Sequence, residues 1–200
     1  MPVAPGRLAD LLADLIDAAG PQRLSVAVDG SPAANPAGLA DTLVEPLHAR
    51  GRRVARVSGA DFLRPASVRL EQGREDSESY RSGWLDVAGL RREVLDPFAA
   101  GGRYLPSLWD AARDRATRAA PLEAPPGTVL VVDGTFLLDG ELAFDLALHL
   151  HLKAATLARR TPEVLQWTLP AYAGYAGEAR ANVAVRLDDV AHPAVLVRRG

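Results

Sequence analysis

The sequence contains no cysteine. That excludes disulfides and thiolate metal ligands, and it fits a reducing, cytoplasmic setting. Lysine is almost as scarce. Of the 23 basic residues only Lys153 is lysine, the rest being arginine, so chemistry that requires an ammonium has one candidate. Neither sign of charge is in excess. The formal net charge of −2 gives no general reason to expect nucleic acid or a membrane surface as a partner. No apolar run approaches the roughly 20 residues of a membrane span. The first 20 residues carry acids inside their apolar pattern and are not expected to be a signal peptide. There is no internal repeat and no low-complexity block.

What is present is ordinary for a globular protein. The 200 residues, 48% hydrophobic and 24% charged, can bury a full core and suit one domain spanning 1–200 with a small lid. The N-terminal segment 1–22 reads as an amphipathic helix from Leu8 to Ala18, with Leu8, Leu11, Leu12, Leu15 and Ile16 on one face. Short apolar runs predict buried strands at 24–29 and 128–133, with further strands at 53–58 and 146–152 and late strands at 182–187 and 194–198. Helices are expected over 36–50, 87–95, 154–160 and, more weakly, 172–181. Residues 61–82 are polar and arginine-rich, a loop with short helical pieces. Apolar strands alternating with helices indicate a parallel sheet covered on both faces. Ligands of such sheets sit at the carboxyl ends of the strands. This singles out Asp29-Gly30, Gly59-Ala60-Asp61, Asp133-Gly134 and Lys153.

The stretch SVAVDGSPAANPAGLADTL, Ser25 to Leu43, has the layout of a phosphate-binding loop: apolar strand, Asp29-Gly30, a run of small residues, then a helix. Such a loop reads G-x-x-x-x-G-K-[ST]. Counted from Gly30, Asn35 stands at the second glycine, Pro36 at the lysine and Ala37 at the hydroxyl residue. Pro36 and Pro32 lack the N–H groups that would cradle phosphate, and they restrain Asn35 and Ser31 before them. The same residues make an ordinary helix start, with Asn35 as N-cap and Pro36 at the first helical position.

The chain resembles the uridine kinase branch of P-loop kinases, notably the bacterial uridine kinase-like proteins. The resemblance rests on VAVDG, ARVSGADFLRP, GREDSESYRSGWLDVAGL, LDPFAAGGRYLPSLWD, APPGTVLVVDGTFLL and VAVRLDDVAHPAVL, in that order over about residues 23–197. It implies a P-loop NTPase-like three-layer α/β/α fold with a mainly parallel sheet and a short lid, ATP and Mg²⁺ in the cleft, and a nucleoside or similar alcohol as phosphoryl acceptor. By the same resemblance the acceptor base aligns with Ala60, and Asp61 matches a second, non-catalytic acid; a one-residue slip would make Asp61 the base. Asp133 would touch the Mg²⁺ shell, or is a turn residue before Gly134. Arg64, Arg81, Asp86, Tyr104 and Asp110, with Arg69 and Arg74, would surround the acceptor, or are surface and capping residues. The lid, about 154–181, keeps Arg159, Arg160 and Arg180 but holds Pro162, Pro170 and the apolar Trp167, Leu169, Tyr172 and Tyr175, which pack on the core or on a partner.

Lys153, at a strand end on the ligand side, is the one candidate to substitute for the missing loop lysine, or is a strand-end lysine in water. His149 and His151 share one face of a strand, as paired metal ligands could, but no third ligand is evident and no metal site is expected. Three readings stay open: a pseudoenzyme that binds a small molecule or a protein partner, a kinase rebuilt around Lys153, Asp61 and Asp133, and an enzyme of other chemistry in the same cleft.

Overall fold

The computed structural model describes residues 3–140 and 142–198; Met1 and Pro2, the start of the 1–22 segment, lie outside them. Helix α1 (Pro5–Asp17) opens the chain with a proline in its first turn. Its stripe of Leu8, Leu12 and Ile16 is buried. Strand β1 (Leu24–Gly30) is buried at every position. It leads through a single 3₁₀ turn, Pro32–Ala34, into α2 (Pro36–Thr42) and α3 (Val44–Ala49). The expected single helix over 36–50 is thus two, divided at Leu43. Pro46 is the physical reason: it has no N–H to donate to the carbonyl of Thr42.

Strand β2 (Arg53–Ser58) is followed by a 3₁₀ turn, Gly59–Phe62, and the short helices α4 (Ala66–Arg69) and α5 (Ser77–Ser82). The helix expected over 87–95 runs further. It consists of α6 (Val87–Leu90), a π turn at Arg91–Leu95 and α7 (Asp96–Ala99). Two small hairpins follow. Strand β3 (Arg103–Tyr104) pairs with β6 (Leu122–Glu123), and β4 (Trp109–Asp110) with β5 (Arg115–Ala116). Strands β7 (Thr128–Gly134) and β8 (Leu146–His151) precede α8 (Ala154–Arg160). A ten-residue 3₁₀ segment, Glu163–Tyr172, leads to α9 (Gly177–Arg180) and to β9 (Val183–Arg186) and β10 (Ala194–Val197). The expected helix over 172–181 is therefore displaced. Gly174, at φ +72°, breaks it, and the helical residues lie on either side.

The six long strands form one sheet in the order β10-β9-β8-β1-β7-β2. Only the β9–β10 pair is antiparallel. Alternate side chains of each strand feed two separate cores. Val26, Val28, Val129 and Val131 pack with α1, α2 and α3 on one face. Ala27, Leu130 and Val132 pack with Phe62, Leu90 and Phe98 on the other. The result is a three-layer α/β/α fold. Both Asp-Gly strands are interior, and Val28 pairs with Asp133 and Asp29 with Gly134. The parallel register brings Asp29 and Asp133 to the same edge, as two short runs each ending in Asp-Gly predict.

Candidate functional site

The site forms where β1, β2 and β7 end together. A cavity of about 370 Å³ opens there between the Pro32–Ala37 loop, the 58–60 turn, α5 and the end of β7. Its loop side is Pro32, Asn35, Pro36 and Ala37; its far wall is Tyr80, Trp84 and Phe136.

Asn35 caps the helix. Its Oδ1 accepts from the Gly38 N–H at 3.1 Å. Its backbone is left-handed, φ +57° and ψ +59°, a conformation that glycine adopts freely and asparagine tolerates. The loop thus bends where the second glycine of the phosphate-loop pattern would bend. Gly30 has a packing reason to be glycine: a Cβ there would stand 3.0 Å from the Leu150 Cβ. Its carbonyl accepts from the Thr135 hydroxyl at 2.9 Å, pinning the loop to the end of β7. Ser31 is buried beside a second cavity of about 430 Å³ that runs under Arg160 and Trp167.

Asp29 is wholly buried and fully partnered. Its Oδ1 accepts from the Leu137 N–H at 2.9 Å, and its Oδ2 accepts from the Tyr175 hydroxyl at 2.8 Å and meets His149 Nδ1 at 2.6 Å. His151 turns to Glu178 instead, at 3.1 Å. The two histidines serve two different carboxylates, and among the described residues no cluster of three or more His, Asp or Glu is placed to hold a metal.

Asp133, 3% exposed, accepts from the Ser58 hydroxyl on Oδ2 at 3.0 Å. Its Oδ1 lies 2.9 Å from Arg56 Nη2, an ion pair without hydrogen-bond alignment. Arg56 also grips Asp41 of α2, at 2.9 Å, and so stands between α2 and β7. The divalent ion implied by the resemblance does not fit this set of residues. A guanidinium already holds Asp133, and Ala37 brings no oxygen to the loop. Arg56 was not singled out from the sequence, because a strand arginine looks like any other until register points it at a partner. Tyr80, Trp84 and Phe136 escaped for the same reason.

The other candidates scatter. Asp61 does not line the cavity, whereas Ala60 does. Burial first, and then the charges of Asp133 and Asp110, push the Asp61 carboxyl above the usual aspartate range. Arg81 lines the cavity but is committed to Asp139, with Nε 2.7 Å from Oδ2 and Nη2 3.2 Å from Oδ1. Arg180 joins the same carboxylate at 3.0 Å. Arg64 and Arg81 face a third space of about 250 Å³ beside Asp139. Asp86 caps α6 through the Gly89 N–H. Tyr104 is a core residue against Phe98. Asp110 binds the N–H groups of Ala112 and Arg113 in its own turn; the Arg113 side chain holds its carboxyl below the ordinary range. Arg69 lies over the Trp84 ring, at 5.1 Å, and Arg74 is exposed. In the lid segment Arg159 is exposed and Arg160 bonds the Asp188 carbonyl. Lys153 is exposed at the start of α8 and lines none of the three cavities; its backbone N–H bonds Asp188.

The aromatic residues of 167–175 pack inward. Phe136 sits 4.9 Å from Tyr172 and 5.0 Å from Tyr175. Trp167 sits 5.6 Å from Tyr80 and 5.7 Å from Trp84. The Tyr80 and Tyr172 hydroxyls meet at 3.1 Å.

A parallel sheet with a loop-to-helix turn at its carboxyl edge and a segment packed across it defines a P-loop kinase-like fold. The chain superposes on a structure described as a possible uridine kinase from Bacillus stearothermophilus, with a TM-score of 0.71 and 20% identity over 88% of this chain and 96% of that one. It also superposes on D-glycerate 3-kinase from Cryptococcus neoformans, with a TM-score of 0.65 and 14% identity over 94% and 99% of the two chains. No family model matches the sequence, and no curated protein is significantly similar to it. At these identities the likeness defines the fold.

Proposed function

We propose that this chain is a P-loop kinase-like protein that has given up phosphoryl transfer and keeps its cleft for binding a ligand. One observation carries the reading: the loop side of the cleft is Pro32, Asn35, Pro36 and Ala37, with Ala60 opposite. Phosphoryl transfer depends on positioning and on fixed positive charge at the transferring group. Pro36 offers neither charge nor N–H. The Gly38 N–H is taken by Asn35. The base position holds alanine, and Asp133 is paired with Arg56.

A transfer assay with radiolabelled ATP and uridine or cytidine tests the reading. The expected result is no transfer above background. Robust transfer abolished by Lys153→Ala would overturn it and favour a site rebuilt around that lysine. Replacing Asn35→Gly, Pro36→Lys and Ala37→Ser together should improve Mg-ATP binding in a calorimetric titration, because it returns one backbone donor, one charge and one metal ligand. Turnover should need Ala60→Asp as well, since parts of such a constellation act as a unit.

A further inference from the structure

The second cavity, of about 430 Å³, shares Pro32, Tyr80 and Trp84 with the first. Most polar groups of its walls are already partnered. The Thr161 hydroxyl donates to the Leu157 carbonyl at 2.8 Å, and the Thr168 hydroxyl to the Leu165 carbonyl at 2.7 Å. The Tyr80 and Tyr172 hydroxyls meet each other. Two groups remain, Ser31 and Arg160. Ser31 is 7% exposed, and its hydroxyl makes no hydrogen bond among the described residues. It is not among the unpaired atoms sealed from water, which are Trp84 Nε1 and Asp133 Oδ1. The hydroxyl therefore opens onto the cavity that Ser31 lines. A buried polar group left unpaired beside a cavity calls for an explanation such as a ligand.

Arg160 is the only charged residue of the lining. Its Nη2 donates to the Asp188 carbonyl at 3.2 Å, and among the described residues no carboxylate pairs with it. The Asp188 carboxylate is engaged elsewhere, by the Lys153 N–H and the Thr156 hydroxyl. Helix α8, which ends in Arg160, packs against the Pro32–Ala34 turn next to Ser31. Arg69, at 5.1 Å from the centre of the Trp84 ring, has no carboxylate partner either. The unbalanced charge here is positive, which disfavours a cation among these rings and favours an anion. The remaining walls are aromatic. Trp167 stands 5.7 Å from Trp84 and 5.6 Å from Tyr80. The volume falls in the range of ligand pockets, roughly 300–1,000 Å³. A phosphate monoester would bring about two negative charges to this one lining guanidinium. A carboxylate brings one, and its oxygens suit one guanidinium and one hydroxyl.

We infer that this cavity binds a planar aromatic monocarboxylate. The carboxylate pairs with the Arg160 guanidinium and accepts from the Ser31 hydroxyl, and the ring lies against Trp84, Trp167 and Tyr80. The inference rests on the reading that the cleft binds a ligand without transferring phosphate, and it names the ligand's chemical class.

The probe is 2-naphthoate, with 2-naphthamide as the neutral molecule of matched shape and 2-naphthyl phosphate as the phosphate counterpart. Binding to the full chain is measured by calorimetry without Mg²⁺. Saturable binding of 2-naphthoate is expected, with the amide about tenfold weaker or more, the loss of a charge-assisted hydrogen bond. Arg160→Gln should weaken 2-naphthoate by a similar factor and leave the amide unchanged. Ser31→Ala should weaken it about fivefold. Because that hydroxyl has no partner in the protein, the urea midpoint of Ser31→Ala should not fall. Arg159→Gln, beside the site but exposed, should bind as the unmodified protein does. If Arg160→Gln fails to fold, Ser31→Ala and the amide decide. No saturable binding up to the solubility limit, equal binding of acid and amide, or tighter binding of the naphthyl phosphate overturns the inference. The radiolabelled-ATP assay separates the two readings. Absent naphthoate binding beside absent transfer sinks this inference alone; transfer beside discriminating naphthoate binding sinks the functional reading alone.

Discussion

Asn35 does two jobs that substitutions can separate. It caps α2 and it bends the chain at positive φ. Asn35→Ala loses both and should cost about 1–3 kcal/mol. Asn35→Gly loses the cap but relieves the backbone, and should stay within a few tenths of a kcal/mol; urea midpoints of the two variants check the difference. Asp61 is a residue the fold tolerates against its preference. Its pKa is raised by burial and by like charge, so above the unfolded value, roughly 3.9, ionised Asp61 opposes folding. Acidification relieves it. Asp61→Asn should therefore raise stability at pH 7, by at most about 1 kcal/mol given its partial exposure, and the gain should vanish near pH 3. Thermal melts at the two pH values test this. Asn35 as cap was legible from one dipeptide, because capping is local. The pairing of Arg56 with Asp133 was not, because those residues lie on neighbouring parallel strands far apart in sequence, and only register joins them.

At the scale of elements, the 163–180 segment is held across the cleft by rings and by one shared carboxylate. Asp139 receives Arg81 from α5 and Arg180 from α9. The hydrogen bond from Arg81 leads in holding its carboxyl below the ordinary range, against burial, with Arg180 assisting. A depressed carboxylate pKa stabilises the fold above the unfolded value, roughly 3.9, and that stabilisation is lost as pH falls through the lower folded value. Asp139→Asn should loosen the segment at pH 7, seen as faster amide exchange in 163–173, and the difference from the unmodified protein should shrink below pH 4. Exchange that is equal at pH 7 would show that the rings alone hold the segment. Most strands of the sheet were legible as short apolar runs, and β2 as an alternation of valine and alanine with arginine and serine. The 3₁₀ segment Glu163–Tyr172 was not, because its order comes from Tyr80, Trp84 and Phe136, which belong to distant elements.

For the whole molecule, the chain's four tyrosines share one property. Burial raises the phenol pKa of Tyr80, Tyr104, Tyr172 and Tyr175 above the usual value near 10. Asp29 adds to the shift at Tyr172 and Tyr175. A raised folded pKa gives stability that is complete below the unfolded value and lost as pH rises beyond it. The protein should accordingly lose stability above about pH 10. Tyrosinate absorbance should appear in one step that coincides with loss of circular dichroism, and a phenol ionising in the folded protein well before that step would contradict it.

The sequence by itself determined the α/β class, the parallel strands, the shared edge of Asp29 and Asp133, and the capped helix start at Asn35-Pro36. All of these follow from short-range pattern: apolar runs, Asp-Gly ends and turn chemistry. Only the tertiary structure decided what the carboxyl edge holds. It placed Arg56 on Asp133, sent His149 and His151 to different carboxylates, and left Lys153 in solvent. It also gathered Tyr80, Trp84 and Phe136 around a cavity. The physical reason is that a side chain's partner across a sheet or beneath a packed segment is set by register and three-dimensional packing, and neither is written in the spacing of residues along the chain.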